Sequence, residues 1–95
     1  MRVISRKALR DFSARHSDAT TALDQWLRIT RRANWPSLAD AQRDFNHADA
    51  VGRLTVFNIK GNRYRLIARV NDRTKRVFIR HILTHEEYER GRWRE

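Results

Sequence analysis

The spacing of apolar residues changes once along this 95-residue chain, close to Gly52. Before that point apolar side chains recur about every 3.6 residues, which is the period of an amphipathic α-helix. After it they alternate with polar side chains, as expected of β-strands whose two faces meet different surroundings. A chain of this length is one domain, so the sequence predicts a single domain over residues 1–95 with helices first and strands second.

The elements predicted before Gly52 are mostly helical. Ser5 is a candidate N-cap for the first helix, and Ser17 or Asp18 opens the second. Pro36 ends that second helix, because proline drives the residue before it out of the helical conformation. Ser37 caps a third, shorter helix and has Asp40 at the capping-box position. The predicted elements are a strand over 2–4 and helices over 6–15, 18–33 and 38–45.

Three strands joined by tight turns are predicted after a loop at His47–Gly52. Turn-forming residues, Gly61 in the first connection and Asn71-Asp72 in the second, separate them. The predicted strands are Leu54–Ile59, Arg63–Val70 and Arg76–Leu83. The sequence therefore predicts an α+β fold: a small, mostly antiparallel sheet made of the short N-terminal strand and this three-stranded meander, packed by the N-terminal helices and followed by a short C-terminal helix.

Positive charge concentrates in the predicted sheet. The segment Arg53–Arg80 holds nine Lys or Arg residues and one acid, Asp72, and so carries +8 of the formal net charge of +10. Charge spread for solubility alone would not concentrate in this way. All but three of the 21 basic residues are Arg, whose planar fork grips phosphate through two parallel hydrogen bonds. The segment therefore predicts a surface that binds nucleic acid.

Alternation along the strands divides these side chains between a core face and a working face. The predicted core face carries Phe57, Ile59, Tyr64, Leu66, Ala68, Val70, Val77, Ile79 and Leu83. The predicted working face carries Val56, Asn58, Lys60, Arg63, Arg65, Ile67, Arg69, Phe78, Arg80 and Ile82. Two arginines on neighbouring strands thus share one face with a lysine and an asparagine.

The third strand leads directly into a helix through a capping box, Thr84-x-x-Glu87, with Leu83 and Tyr88 as the matching hydrophobic staple. His85 begins this helix and Tyr88 lies one turn later, so both are expected near the end of the working face. Two interpretations stay open. In the first, Tyr88 is only the staple and His85 is only a solvated residue. In the second, the His85 imidazole and the Tyr88 phenol flank a bound phosphate.

Several classes of site are disfavoured. The chain has no Cys, and His81 and His85 fall in a strand and a helix, so we predict no metal site and no cofactor. Its three glycines form no phosphate-binding loop. No apolar run approaches the roughly 20 residues that span a bilayer, and the N-terminus has no signal-peptide pattern, which predicts a cytoplasmic protein without membrane contact.

The chain resembles the HigB-type toxins of bacterial type II toxin–antitoxin systems, relatives of the RelE-like mRNA interferases. The residues that carry the resemblance are Val56-Phe57-Asn58-Ile59-Lys60-Gly61-Asn62-Arg63-Tyr64-Arg65-Leu66-Ile67, then Phe78-Ile79-Arg80, then Thr84-His85-x-Glu87-Tyr88, with Met1–Ser5 and Trp35–Ala41 before them. The resemblance implies a RelE-like fold and a metal-independent endoribonuclease that cleaves mRNA, usually on the ribosome, by attack of the RNA's own 2′-OH. It also implies a HigA-type helix-turn-helix antitoxin, and contact with operator DNA only through the antitoxin complex.

The same resemblance assigns roles to residues. Arg65 and Arg80 would hold the scissile phosphate, and Tyr88 would handle a second proton or stack on a base. His85 is the expected general base, with Lys60 as its rival. The expected RNA contacts are Asn58, Asn62, Arg63, Arg69 and Arg73, of which the three arginines could instead form a screened basic surface.

Two other functions remain open at this stage. The same basic sheet could bind RNA or the ribosome without cutting, although Tyr64 falls on the predicted core face and only Phe78 is left on the working face for stacking. A DNA-binding regulator is less favoured, because the chain has no recognition helix with the needed basic and polar residues at its start.

Overall fold

One five-stranded mixed sheet organises the chain, and the computed structural model describes residues 1–94 of it. The elements in chain order are β1 (Arg2–Ile4), α1 (Arg6–Arg15), a 3-10 turn (Ser17–Ala19), α2 (Thr20–Arg32), α3 (Leu38–Asp44), β2 (Asp49–Val51), β3 (Leu54–Ile59), β4 (Tyr64–Asn71), β5 (Arg76–Thr84) and α4 (His85–Arg90). The strand order is β1-β5-β4-β3-β2, with β1 parallel to β5 and every other pair antiparallel. The predicted α+β architecture is confirmed.

The predicted helices form, and Ser5 and Ser37 occupy the predicted N-cap positions of α1 and α3, but neither side chain makes a capping hydrogen bond. Ser5 takes a left-handed backbone conformation, with φ of +77°, instead of the extended conformation of a capping residue. The Ser37 hydroxyl donates to the Asp40 carboxylate at 2.8 Å and so does not serve the backbone at the start of α3. Both helices are held by packing of their apolar faces rather than by these caps.

A fifth strand lies inside the segment predicted as a loop. Asp49–Val51 forms β2, which pairs with the first half of β3. Gly52 makes the tight connection between them with φ of +61°, a conformation that glycine adopts without strain. Three residues are too few to show an alternating pattern, so the sequence carries no signal for this edge strand.

A β-bulge interrupts the pairing of β4 with β5. Ile67 pairs with His81, whereas the next residue, Ala68, pairs with Ile79. Arg80 is therefore an extra residue on β5, and Arg80 and His81 together stand opposite Ile67. Beyond the bulge the alternation of β5 is shifted by one residue relative to the sequence prediction.

The shift exchanges the faces of two apolar residues. Ile82 packs against the core under the helices, and Leu83 packs on the opposite side of the sheet. The predicted placement of Leu83 on the core face and of Ile82 on the working face is therefore wrong. The error is confined to the end of β5 because the alternation before Arg80 follows the prediction, with Val77 and Ile79 both buried in the core.

The sheet buries an apolar cluster on each of its faces. We call the face covered by α1, α2 and α3 the helix face; its cluster includes Phe12, Leu23, Trp26, Trp35, Phe57, Leu66 and Val77. We call the other the tail face, because α4 and residues 91–94 pack on it. Its smaller cluster consists of Leu54, Val56, Ile67 and Trp93, with Val51, Leu83 and Tyr88 packed against it. The predicted working face thus has an apolar centre of its own.

Candidate active site

Arg65 lies on the tail face, on the central strand β4 near the β3–β4 turn, and is only 8% exposed. It stands on β4 in register with Asn58 of β3 and Leu83 of β5. Its Nη1 donates to the carbonyl oxygens of Asn62 at 3.1 Å and of Tyr64 at 3.2 Å, and its Nη2 donates to the Asn62 side-chain oxygen. Asn62, which the sequence suggested as an RNA contact, therefore holds the guanidinium in place.

An aromatic pair covers Arg65. The guanidinium carbon lies 5.1 Å from the centroid of the Tyr88 ring, a cation–π distance. Tyr88 in turn stacks on Trp93 with ring centroids 5.0 Å apart and an interplanar angle of 12°. The Trp93 indole N–H donates to the Tyr88 carbonyl at 2.9 Å, and Trp93 is 4% exposed. Arg65, Tyr88 and Trp93 thus form a three-membered stack, which we call the ladder.

Trp93 was not predicted as a site residue. Gly91 ends α4 in the left-handed conformation, with φ of +72°, and so turns the chain back toward the sheet. Tryptophan two residues after such a glycine is a weak signal for a buried tail. Tyr88 packs against the apolar cluster, as Leu83 does, and also contacts Arg65, so it is more than a staple, while its role beside a bound phosphate stays a prediction.

Lys60 and Arg63 meet Asp18 rather than Arg65. The Asp18 carboxylate accepts from Lys60 Nζ at 3.3 Å, from Arg63 Nη1 at 3.0 Å and from the Tyr64 hydroxyl at 2.7 Å. Both cations lie in the β3–β4 turn, where alternation no longer applies, and Lys60 has φ of +52°. Their predicted placement on one face with Arg65 is wrong. Asp18 was predicted only to open a helix.

The three donors around Asp18 lower the pKa of its carboxyl group from 3.8 to about 2, the hydrogen bond from Tyr64 being the largest cause. The carboxylate is therefore ionised throughout the neutral range. The same hydrogen bond raises the pKa of the Tyr64 hydroxyl. The cluster ties the start of the second helical segment to the β3–β4 turn and so fixes the end of the sheet next to the ladder.

Replacing Asp18 with asparagine should remove a pH-dependent part of the stability. Because the folded-state pKa of Asp18 is depressed, the charged carboxylate stabilises the fold above about pH 4, and this contribution is lost as pH falls toward about 2. We expect the difference in urea midpoint between parent and Asp18→Asn to be constant above pH 4 and to shrink toward pH 2. An Asp24→Asn variant is the control for an exposed carboxylate on α2. A parent–variant difference that persists at pH 2 would contradict the assignment.

His85 lies at the corner between β5 and α4. Its backbone N–H donates to the Arg63 carbonyl at 3.0 Å, which fixes the start of the helix against the β3–β4 turn. Its Nε2 lies 3.3 Å from a carboxylate oxygen of Glu89, and its side chain is 46% exposed. The imidazole is thus accessible to a substrate.

The capping box predicted for this corner is confirmed. The Thr84 hydroxyl accepts from the Glu87 backbone N–H at 3.2 Å, and the Glu87 carboxylate accepts from the Thr84 N–H at 2.9 Å. That backbone hydrogen bond is the main reason why the pKa of Glu87 is lowered. The paired caps give α4 a fixed starting point, and His85 and Tyr88 inherit their positions from it.

The remaining predicted residues are spread over the sheet. Arg80 is exposed at the bulge, and Asn58 is half-buried beside Arg65 on the next strand. Arg69 is exposed farther along β4, opposite Phe78. Arg73 lies in the β4–β5 turn, roughly 25 Å along the strand from Arg65. The structure therefore brings Asn58, Asn62 and Tyr88 to Arg65 and leaves Arg73 at the far end.

Among residues 1–94, His, Asp and Glu side chains form no group of three that could hold a metal ion. None of the helices there combines the length and the apolar character needed to cross a membrane.

A basic α+β protein with an anchored arginine on the central strand of its sheet and a tyrosine and a histidine at the strand–helix corner has the architecture of a RelE-like toxin. Residues 19–91 match the family model described as HigB_toxin, RelE-like toxic component of a toxin-antitoxin system. The chain is also similar to the mRNA interferase HigB of Escherichia coli O6:H1 (strain CFT073), with 25% identity over 93 residues that cover 95% of this chain and 90% of that protein. The chain belongs to the HigB toxin family. Membership implies an antitoxin as its partner.

Proposed function

We propose that this toxin is an endoribonuclease that cleaves mRNA on the translating ribosome without a metal ion. The observation that carries the proposal is Arg65, whose guanidinium is held by Asn62 and Tyr64 on the tail face, beside the apolar cluster. The name of the Escherichia coli relative, an mRNA interferase, supports RNA cleavage as the activity. The net charge of +10 suits a polyanionic substrate.

Arg65 still has guanidinium N–H groups that can donate to a phosphate. Three of its guanidinium N–H groups are directed to oxygens of Asn62 and Tyr64. A guanidinium has more donors than these, and the remaining N–H groups on the Nε side have the parallel geometry that grips two phosphate oxygens.

In the proposed reaction, the 2′ oxygen of one nucleotide attacks the adjacent phosphorus and the bond from phosphorus to the 5′ oxygen breaks. The products are a 2′,3′-cyclic phosphate and a free 5′-hydroxyl end. One proton leaves the 2′-OH and one is delivered to the 5′ oxygen. Arg65, with Arg80, holds the phosphate and stabilises the extra negative charge that develops at phosphorus.

His85 suits the role of general base better than Lys60. The imidazole is about half exposed and lies on the same short helix as Tyr88, one turn before it. The Lys60 ammonium donates to Asp18, a carboxylate that stays ionised at neutral pH, and Lys60 is thereby held toward the start of α2. We therefore assign proton abstraction to His85 and a structural ion pair to Lys60.

A His85→Ala variant should cleave mRNA roughly 10²–10⁴ more slowly than the parent, which is the usual contribution of a positioned general base. A Lys60→Ala variant should lose much less. The measurement is the rate of cleavage of a message on purified ribosomes. His47→Ala, which removes an exposed imidazole before β2, is the matched control. If Lys60→Ala is the slower of the two variants, the roles of His85 and Lys60 are reversed.

The activity itself is tested by mapping RNA ends after the toxin is induced in bacteria. We expect new 5′-hydroxyl ends at discrete positions within messages, and none when translation is blocked beforehand. Association of the toxin with ribosomes without such ends would favour the alternative, a module that binds RNA or the ribosome and does not cut.

The antitoxin that the family implies is proposed to be of the HigA type, with a helix-turn-helix domain. Under this proposal the toxin reaches operator DNA only as part of the antitoxin complex. Its basic surface, with a net charge of +10, favours an acidic antitoxin segment as the contact.

A further inference from the structure

A recess on the tail face lies next to the ladder and has no part in the reaction described so far. Its volume is about 240 Å³, and it is lined by His81, Leu83, Glu87, Arg90, Arg92 and Trp93. One water molecule takes about 30 Å³ of liquid, so the recess holds about eight waters, which is the scale of a single nucleobase rather than of a drug-sized ligand.

The recess is one strand away from Arg65. Leu83, in its wall, is the register partner of Arg65, and neighbouring strands are separated by about 4.8 Å. His81 is brought to this face by the bulge, which sets Arg80 and His81 together opposite Ile67. When a phosphate of the RNA lies on Arg65, the base of the adjacent nucleotide in the RNA is therefore within reach of this recess.

The lining combines an apolar wall with cationic groups. Leu83 and the edge of Trp93 form the wall. Glu87 is engaged by the Thr84 N–H, and Arg90 pairs with Glu86 at 2.7 Å, so both have protein partners. Within residues 1–94 the structure shows no ion pair for His81 or Arg92, and both are exposed. Those two side chains are therefore available to bind a ligand.

We propose that this recess binds the base of the nucleotide next to the scissile phosphate. The proposal rests on the proposed RNA-cleaving function and deepens it. The flat face of the base lies against Leu83 and Trp93, while His81 and Arg92 hydrogen-bond to its edge or to its phosphate. Bases bind in this way when an apolar surface is combined with a few polar groups. The recess then contributes to the base preference of cleavage, whereas Arg65 contacts only the phosphate and reads no base.

The test uses purified ribosomes programmed with a set of messages that differ only at the positions flanking the cut. We expect the parent to prefer one base at one flanking position, and we expect that preference to fall about tenfold in the double variant His81→Ala with Arg92→Ala. Arg28→Ala with Arg31→Ala is the control, because it removes two exposed cations from α2 on the other side of the sheet. The single variant His81→Ala provides a second measurement, since it changes an exposed side chain and leaves the Trp93 tail unchanged.

An unchanged base preference in both His81 variants would overturn the proposal, as would a parent that cuts with no preference at either flanking position. A parent that cuts no message at all would instead refute the proposed function. The two failures are therefore distinguished by the parent alone. A drop in preference that the α2 control shows equally would assign the effect to overall charge and would also overturn the proposal.

Discussion

An Arg65→Ala variant should cleave mRNA roughly 10²–10³ more slowly than the parent, because it loses a preorganised donor to the charge that develops at phosphorus. The guanidinium is already fixed by Asn62 and Tyr64 before substrate binds, so little reorganisation is needed in the reaction. The measurement is the rate of cleavage on programmed ribosomes, together with arrest of growth when the variant is induced.

Three variants separate the role of Arg65 in the reaction from its role in folding. Arg65→Met keeps much of the side-chain volume beneath Tyr88 and should be as inactive as Arg65→Ala while its urea midpoint stays closer to that of the parent. Arg65→Lys keeps the charge but loses the planar fork, so it should recover only part of the rate. Arg28→Ala, on the exposed face of α2, controls for one lost charge. Growth arrest and cleavage at the parental rate by the folded Arg65→Met protein would contradict this role.

The Asn62→Ala variant tests whether Asn62 holds the Arg65 guanidinium in position. Its side-chain oxygen accepts from Arg65 Nη2, so the variant should leave the arginine present but less ordered. A smaller loss of rate than in Arg65→Ala is expected. That intermediate result distinguishes a positioning role for Asn62 from the direct RNA contact that the sequence suggested.

Most of the fold could be predicted because its signals are local. The bounds of β3 agree with the sequence prediction, and those of β4 and β5 differ from it by one residue. The capping box at Thr84 placed the start of α4 correctly, since the pattern uses residues within one turn. Arg65, on a regular strand between Leu66 and Tyr64 of the helix-face core, was correctly assigned to the opposite face.

The errors come from features that local pattern does not encode. The bulge at Arg80 depends on how β4 and β5 pair, so the exchange of Ile82 and Leu83 could not be read from β5 alone. Lys60 leaves the alternation because the turn begins there, and its partner Asp18 is 42 residues away in the sequence. The sequence therefore does not indicate which carboxylate a predicted cation such as Lys60 pairs with, whereas the structure does.

The tail face shows why charge alone did not define the site. The sequence placed a row of cations on this face, yet its centre is apolar, with Leu54, Val56 and Ile67 covered by Trp93. Arg65 is buried at the margin of that cluster rather than displayed on a flat basic surface. An apolar, partly dehydrated setting strengthens the hydrogen bonds that an arginine makes to a phosphate.

A Trp93→Ala variant should lose about 3–5 kcal/mol of unfolding free energy, the usual cost of truncating a buried aromatic residue to alanine. Trp93 is 4% exposed, packs on Leu54, Val56 and Ile67, and donates its indole N–H to the Tyr88 carbonyl. A small domain has a total unfolding free energy of only about 5–15 kcal/mol, so this loss should be large enough to measure by urea unfolding. Arg28→Ala, which changes an exposed residue of α2, is the control and should cost little.

Trp93→Phe separates packing from orientation of the ladder. Phenylalanine can still stack on Tyr88 but cannot donate to its carbonyl, so it should recover most of the stability that Trp93→Ala loses, short of about 1 kcal/mol for the missing hydrogen bond. If the ladder also positions Tyr88 over Arg65, the rate of cleavage should recover in Trp93→Phe, which restores the stacking. The Trp93→Ala protein, kept folded at low temperature, should then still cleave slowly. Full activity in the folded alanine variant would show that the tail only stabilises the sheet, because Tyr88 would then keep its place over Arg65 without the indole beneath it.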